Sequence, residues 1–200
     1  MRVLLLPLFV CVPAFAFAAG DDGGSMSTSP PQTTETTENC LSDRQWDPEI
    51  KKWVRFSQPV NGVWDPKVKK CIRPDKAGYL DSGLLMDAVR ELAYAGRYLD
   101  AQDVLRAMAD QSDDRVLTYW GFTHRKLGNI NLATTFYQQA IQQNPDNVLA
   151  RSYLGQGLVE EGDMDGAIVQ WREIKARGGD GTWAEASLRE AIRTGVTYSY

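Results

Sequence analysis

Histidine and cysteine are scarce in this chain of 200 residues, which contains one histidine, His124, and three cysteines. No cysteine or acid lies at a spacing that would make His124 a metal ligand or a general base. Neither a phosphate-binding glycine loop nor an HExxH pattern is present. We therefore predict a protein that is not an enzyme and holds no cofactor or metal, in which His124 is a packing residue.

An excess of basic charge is also absent. The chain has 22 Lys and Arg against 26 Asp and Glu, a net charge of −4. So small a net charge, of this sign, argues against a nucleic-acid-binding protein. The charge is unevenly spread, because residues 19–39 carry −4, residues 40–78 carry +4 and residues 79–200 carry −5. The basic charge is thus concentrated in the middle segment.

Residues 1–18 contain one positive charge, Arg2, which is followed by an apolar run. Ala16 and Ala18 give the A-x-A arrangement that is typical of a signal peptide, which we predict to be cleaved after Ala18. A membrane anchor is the alternative, but Pro7 and Pro13 interrupt the run and no basic stop-transfer cluster follows. We therefore predict an exported protein, either periplasmic or secreted.

The segment after the signal peptide, residues 19–39, is rich in Gly, Ser, Thr and Pro and has almost no apolar residue. Such a segment cannot offset the entropy of ordering, so we predict a disordered linker. The mature chain then has two cysteines, Cys40 and Cys71, and an even count in an oxidising compartment favours a disulfide between them. Two unrelated buried thiols are the alternative.

Residues 40–78 form a small Cys module with an internal duplication. The eight residues that begin at Trp46 match the eight that begin at Trp64 at five positions, with an offset of 18. Each copy contains Asp-Pro, which initiates a turn because proline fixes φ and aspartate accepts backbone hydrogen bonds. We predict two small β-hairpins joined by the disulfide.

The aromatic and basic residues of the Cys module are candidates for contact with envelope glycans or anionic lipids. The alternatives are that the tryptophans form the core of a small module and that the lysines belong to solvated turns. The candidate residues are Trp46, Trp64, Lys51, Lys52, Lys69 and Lys70.

Glycine and alanine recur with a period near 34 within residues 79–195. Gly96, Gly128 and Gly162 stand 32 and 34 positions apart, and an alanine follows each of them by five residues. This period predicts helix pairs that bury their apolar faces by stacking on their neighbours. We predict six helices in three pairs, a seventh helix that opens with a capping box at Thr182, and a short tail at 196–200.

These residues resemble the tetratricopeptide repeat (TPR) family. The middle unit matches the family at Leu117, Trp120, Gly121, His124, Gly128, Ala133, Tyr137, Ala140 and Pro145. The third unit matches at Leu154, Gly155, Leu158, Gly162, Ala167, Trp171 and Ile174, whereas the first has Val89 where a small residue is usual. The resemblance implies a mainly α fold, a TPR-like α-α solenoid of about three helix pairs plus a C-terminal capping helix, preceded by the disulfide-clipped β-hairpin module. The second half of that module resembles small cysteine-bounded modules attached to exported bacterial proteins.

The resemblance also implies that the first helix of each pair lines a concave groove. The residues at the groove positions are Met86, Arg90, Tyr94, Thr118, Phe122, Arg125, Lys126, Ser152 and Gln156. We expect Phe122 to be exposed beside Arg125 and to anchor a partner, although an ordinary solvated helix face is the alternative. The implied function is a non-enzymatic periplasmic or secreted adaptor that binds an unidentified protein or peptide. The alternative functions are an envelope-binding Cys module and a helical scaffold for self-association.

Overall fold

The computed structural model describes residues 32–40, 44–47, 51–55 and 62–197. This part of the chain is mainly helical, with eight α-helices and two antiparallel two-stranded sheets. The predicted signal peptide and the first part of the predicted linker lie outside the described residues. The helices are α1 (Glu35–Asn39), α2 (Ser82–Tyr94), α3 (Tyr98–Ala107), α4 (Asp114–Lys126), α5 (Ile130–Gln143), α6 (Val148–Glu161), α7 (Met164–Ala176) and α8 (Trp183–Thr194). The strands are β1 (Arg44–Asp47), β2 (Lys52–Arg55), β3 (Val63–Asp65) and β4 (Lys70–Ile72).

The helices end at the glycines that the repeat pattern marks. Gly128 follows α4 and Gly162 follows α6, with left-handed φ values of 82° and 84°. Glycine adopts this conformation without the strain that a side chain would bring. After α4, the Asn129 N–H donates to the His124 carbonyl over 2.9 Å, which is the closing bond of a Schellman motif. The predicted positions of the six paired helices are therefore confirmed.

From α2 onward the helices contact one another in chain order. The even-numbered helices α2, α4, α6 and α8 also contact one another in series, so they lie side by side. Their apolar faces are covered by these neighbours, as expected for amphipathic helices in a layered domain. No described helix combines the length and the apolar content needed to cross a membrane.

The resemblance to TPR proteins implies that Gly121 and Gly155 each allow the two helices of their own pair to approach closely. A Cβ atom on Gly121 would lie 2.5 Å from the Tyr137 ring on α5, the second helix of the same pair, as predicted. A Cβ atom on Gly155 would lie 2.6 Å from Leu188 on α8. The expectation for Gly155 is therefore wrong, because this glycine makes room for the last helix.

The Cys module has the predicted disulfide and the predicted hairpins. Cys40 and Cys71 are bonded, and the bond closes a loop with a sequence separation of 31 residues. A loop of this length stabilises the folded chain by roughly 3 to 4 kcal/mol in the chain-entropy model. Strands β1 and β2 pair antiparallel with Trp46 opposite Trp53, and β3 and β4 pair with Trp64 opposite Cys71.

The end of the predicted linker is ordered, which corrects the expectation of disorder for residues 32–39. Helix α1 lies in this segment and binds Glu91 of α2. The Glu91 carboxylate accepts from the Thr34 N–H over 2.8 Å, from the Thr34 hydroxyl over 2.7 Å and from the Thr37 N–H over 2.9 Å. Two of these donors are backbone N–H groups at the start of α1, where a negative charge is favoured. The Thr37 N–H also donates to the Thr34 carbonyl over 3.1 Å. Hydrogen bonds to the buried Glu91 carboxylate thus stabilise this segment, which has almost no apolar side chains to bury.

The Cys module and the helical array share one hydrophobic core. Val63 of β3 and Ala77 are buried in the same cluster as Leu85 and Val89 of α2. The Arg97 guanidinium donates to the Cys40 carbonyl over 2.5 Å, next to the disulfide. The predicted boundary at residue 78 therefore lies within a continuous packed region, and the module covers the first helix pair.

We predict opposite effects for two glycine substitutions in the even-numbered helices. Gly121→Ala should lower the free energy of unfolding by about 1 to 3 kcal/mol, because the added methyl group overlaps the Tyr137 ring. Gly157→Ala should leave it unchanged or raise it by up to about 1 kcal/mol, since the added Cβ would meet only Arg125 Cδ, at 3.4 Å. Urea unfolding of both variants measures the difference, and equal effects would contradict this account of the packing.

Candidate functional site

Most of the residues predicted to line a groove are buried in contacts between helices. Arg90, Tyr94 and Lys126 keep partial exposure. The others have almost no accessible surface, and they are Met86, Thr118, Phe122, Arg125, Ser152 and Gln156. The predicted set is therefore corrected, because a residue without exposed atoms cannot contact a partner in this conformation.

Phe122 is the clearest correction, since we expected it to be exposed and it is fully buried. Its ring centroid lies 5.4 Å from that of Tyr94 on α2 and 4.9 Å from that of Tyr153 on α6. Tyr98 and Tyr119 also contact it, in edge-on arrangements that suit aromatic rings. The ring fills the space between three even-numbered helices, which leaves no groove at this position.

Hydroxyl groups connect the rings around Phe122. The Tyr119 hydroxyl donates to the Tyr94 hydroxyl over 3.3 Å, and the hydroxyls of Tyr94 and Tyr153 are bonded to each other. Burial raises the pKa of Tyr119 above its usual value, so this hydroxyl stays neutral at physiological pH. The nearby Arg90 charge opposes this rise. One network of hydrogen bonds therefore links α2, α4 and α6.

Arg125 and Gln156 are buried for separate reasons. The Arg125 guanidinium donates to Glu160 of α6 over 2.7 Å, and the Thr197 hydroxyl donates to the same carboxylate over 2.5 Å. Gln156 lies under α8, where its side-chain amide approaches the Ser187 hydroxyl at 3.4 Å. Arg125 is thus held by an ion pair and Gln156 is covered by the last helix, although the sequence predicts both residues to line a groove.

The accessible part of this face is a small cationic patch, which we define as Arg90, Tyr94, Tyr98 and Lys126. All four side chains are half-buried, and Tyr94, Tyr98 and Lys126 contact the Phe122 ring, with the Lys126 ammonium 5.7 Å from its centre. Arg90 lies one helical turn before Tyr94, and its guanidinium is 3.9 Å from the exposed Asp87 carboxylate. Burial and the neighbouring Arg125 charge lower the pKa of Lys126. Partly dehydrated cations beside aromatic rings favour anionic groups such as carboxylates.

Tyr98 belongs to the patch although the sequence analysis did not place it there. It is the first residue of α3, where the repeat pattern predicts a packing position. Its ring reaches Phe122 because α3 begins directly after the turn at Gly96. The sequence pattern that could have indicated this position is an aromatic residue, Tyr98, two residues after Gly96, the glycine that ends α2.

A second aromatic cluster surrounds the single histidine. The His124 ring stacks on Phe136 with centroids 5.6 Å apart and on Trp120 with centroids 5.7 Å apart. The Arg106 guanidinium lies 5.6 Å from the centre of the Trp120 ring. The prediction that His124 is a packing residue is confirmed by these contacts.

The structure brings together part of the candidate envelope-binding set. Lys69 and Lys70 lie side by side and exposed at the end of the β3–β4 hairpin, whereas Trp64 on the same hairpin is half-buried. Lys51 is exposed in the first hairpin, where it has the same left-handed backbone as Lys69. The side chains of Trp46 and Lys52 lie outside the described part of the structure.

Among the residues that the structure describes, no group of three or more His, Cys, Asp or Glu is placed to hold a metal ion. No family model, curated protein or solved structure matches this chain. The likeness to TPR proteins therefore rests on the residues and spacings of the sequence itself.

We predict that His124 becomes protonated at a lower pH than an ordinary histidine side chain. Burial and the Arg106 charge lower its pKa, so the folded state favours the neutral ring. This contribution to stability is present above the unfolded pKa of 6.5 and is lost as the pH falls through the lowered folded pKa. Because the chain has one histidine, NMR titration gives its pKa directly.

Arg106→Gln should raise the pKa of His124, since it removes a nearby positive charge. Arg115→Gln is the matched control, because Arg115 pairs with Asp113 and is not among the causes of the His124 shift. An unchanged pKa in the Arg106 variant would contradict the assigned cause.

Proposed function

We propose that this chain is a non-enzymatic exported adaptor of the TPR type that binds an acidic segment of another protein at the cationic patch. Export to the periplasm or to the exterior is supported by the signal-like residues 1–18. It is also supported by the bond between Cys40 and Cys71, because disulfides persist mainly in oxidising compartments.

The order of helix contacts supports a TPR-like solenoid. Consecutive helices pack in pairs, and α2, α4, α6 and α8 contact one another in series. In a solenoid of helix pairs, such a series forms one continuous layer that faces the partner. The cationic patch lies where α2, α3 and α4 meet within this array.

One observation carries the proposal: Tyr94, Tyr98 and Lys126 contact one rigid base, and Arg90 lies one helical turn before Tyr94 on α2. The base is the buried Phe122 ring, so little conformational freedom is lost when the patch is covered. Arginine and tyrosine are also the residue types that most often dominate binding energy at interfaces. Two cations in one small patch favour a partner segment that carries Asp or Glu.

The contacts of His124 support the non-enzymatic part of the proposal. The ring is held between Trp120 and Phe136, and its pKa is lowered by burial and by Arg106. A stacked histidine with a positively charged neighbour is a poor general base, because a base needs access to a substrate and a pKa near the working pH.

Quantitative pull-down from the native host tests the proposed site. We compare the wild type with Arg90→Gln/Lys126→Gln, and the matched control is Arg172→Gln/Lys175→Gln on exposed positions of α7. A partner with an acidic segment should be captured by the wild type and by the control but lost by about tenfold or more in the patch variant. Circular dichroism and urea unfolding confirm that all three proteins are folded. Equal capture by the three proteins would refute the site.

A further inference from the structure

We propose that the end of the β3–β4 hairpin is a docking surface for an anionic lipid bilayer. This surface, the hairpin tip, comprises Lys67, Val68, Lys69 and Lys70, together with the adjacent Tyr79. All five residues are exposed, with Val68 at 52% and Tyr79 at 66% of their full accessible surface. The inference goes beyond the proposed adaptor function, because it concerns different residues and a different class of partner.

Among the described residues, the acids nearest the tip in sequence have other hydrogen-bond or ion-pair partners, although Asp65 also interacts electrostatically with Lys67. Asp65, the acid nearest in sequence, is buried. Its carboxylate accepts from the Lys67 backbone N–H over 2.8 Å and from the Tyr79 hydroxyl over 3.0 Å. Asp75 pairs instead with Arg73, at 3.2 Å. No ion pair joins any of the three tip lysines to a carboxylate of residues 32–40 or 62–197.

The fold presents the tip on a fixed base. Val63 at one end of the hairpin is buried in the main core, and Cys71 in the opposite strand is bonded to Cys40. The Trp64 N–H also donates to the Thr36 hydroxyl of α1 over 3.2 Å. The lysines therefore extend from a part of the molecule that is held by covalent, apolar and polar contacts.

The apolar members of the tip favour a bilayer over a soluble polyanion. Val68 lies between lysines and can enter the headgroup region, while lysine side chains place their ammonium groups among lipid phosphates. Tyr79 has the apolar ring and polar end that are common at membrane interfaces, and its hydroxyl is held by Asp65. A polysaccharide would attract the lysines but would gain little from Val68.

The strength of the contact is limited by the number of lysines. Each lysine near an anionic surface strengthens binding by about fivefold, so three give roughly a hundredfold preference for anionic over neutral vesicles. Such binding is reversible and weakens with salt, because the Debye length shortens. Lys51 at the equivalent left-handed position of the first hairpin is exposed as well.

Vesicle co-sedimentation tests the inference with the protein as recovered from its native compartment. Vesicles with about 30 mol % phosphatidylglycerol in phosphatidylcholine are compared with pure phosphatidylcholine, at low salt and at about 0.5 M salt. The tip variant is Lys67→Gln/Lys69→Asn/Lys70→Gln, in which asparagine suits the left-handed backbone at position 69. The charge-matched control is Arg172→Gln/Lys175→Gln/Arg193→Gln, at exposed positions far along the chain. Val68→Ser is a separate variant.

We expect the wild type and the control to bind anionic vesicles alike, the tip variant to bind about a hundredfold less, and Val68→Ser to bind several-fold less. Equal binding by the tip variant and the control would overturn the inference. So would wild-type binding by Val68→Ser together with equal binding to dextran sulfate, which would identify a general polyanion surface. The adaptor proposal is tested by Arg90 and Lys126, so either proposal can fail without the other.

Discussion

Direct packing of the even-numbered helices around Phe122 is the constraint on which the rest of the structure depends. Rings from α2, α4 and α6 surround this residue, and the hydroxyls of Tyr94, Tyr119 and Tyr153 bind one another within the same cluster. A buried network that satisfies its polar groups holds neighbouring elements in one arrangement. It also removes the space that a groove would need, so at this position only the margin of the cluster is exposed.

The two ends of the helical array are closed by different means. At the first pair, Glu91 binds α1 and the Cys module adds Val63 to the core. At the third pair, α8 packs Leu188 against Gly155 of α6. Terminal units of a stacked array need such covers, because their outer faces lack a neighbour. With both ends covered, the cationic patch and the hairpin tip are the surfaces that we assign to binding.

Much of the fold follows from sequence patterns whose physical cause is local. Helix ends at Gly128 and Gly162 follow from the left-handed backbone that glycine accepts. The disulfide is predicted from the two cysteines that remain after the predicted signal peptide. Burial of Phe122 could not be predicted, because it depends on how closely α4 and α6 approach, and the repeat period does not specify that distance. The order of α1 could not be predicted either, since its partner Glu91 is distant in sequence.

The free energy of unfolding of Phe122→Ala tests the central claim most directly. Removing a fully buried phenylalanine from this cluster should cost about 3 to 5 kcal/mol. Leu132→Ala on α5 is the control, because its side chain is 44% exposed and its loss should cost about 0.5 kcal/mol or less. A cost for Phe122→Ala as small as that of the control would mean that the ring lies in an open groove, and would contradict the account.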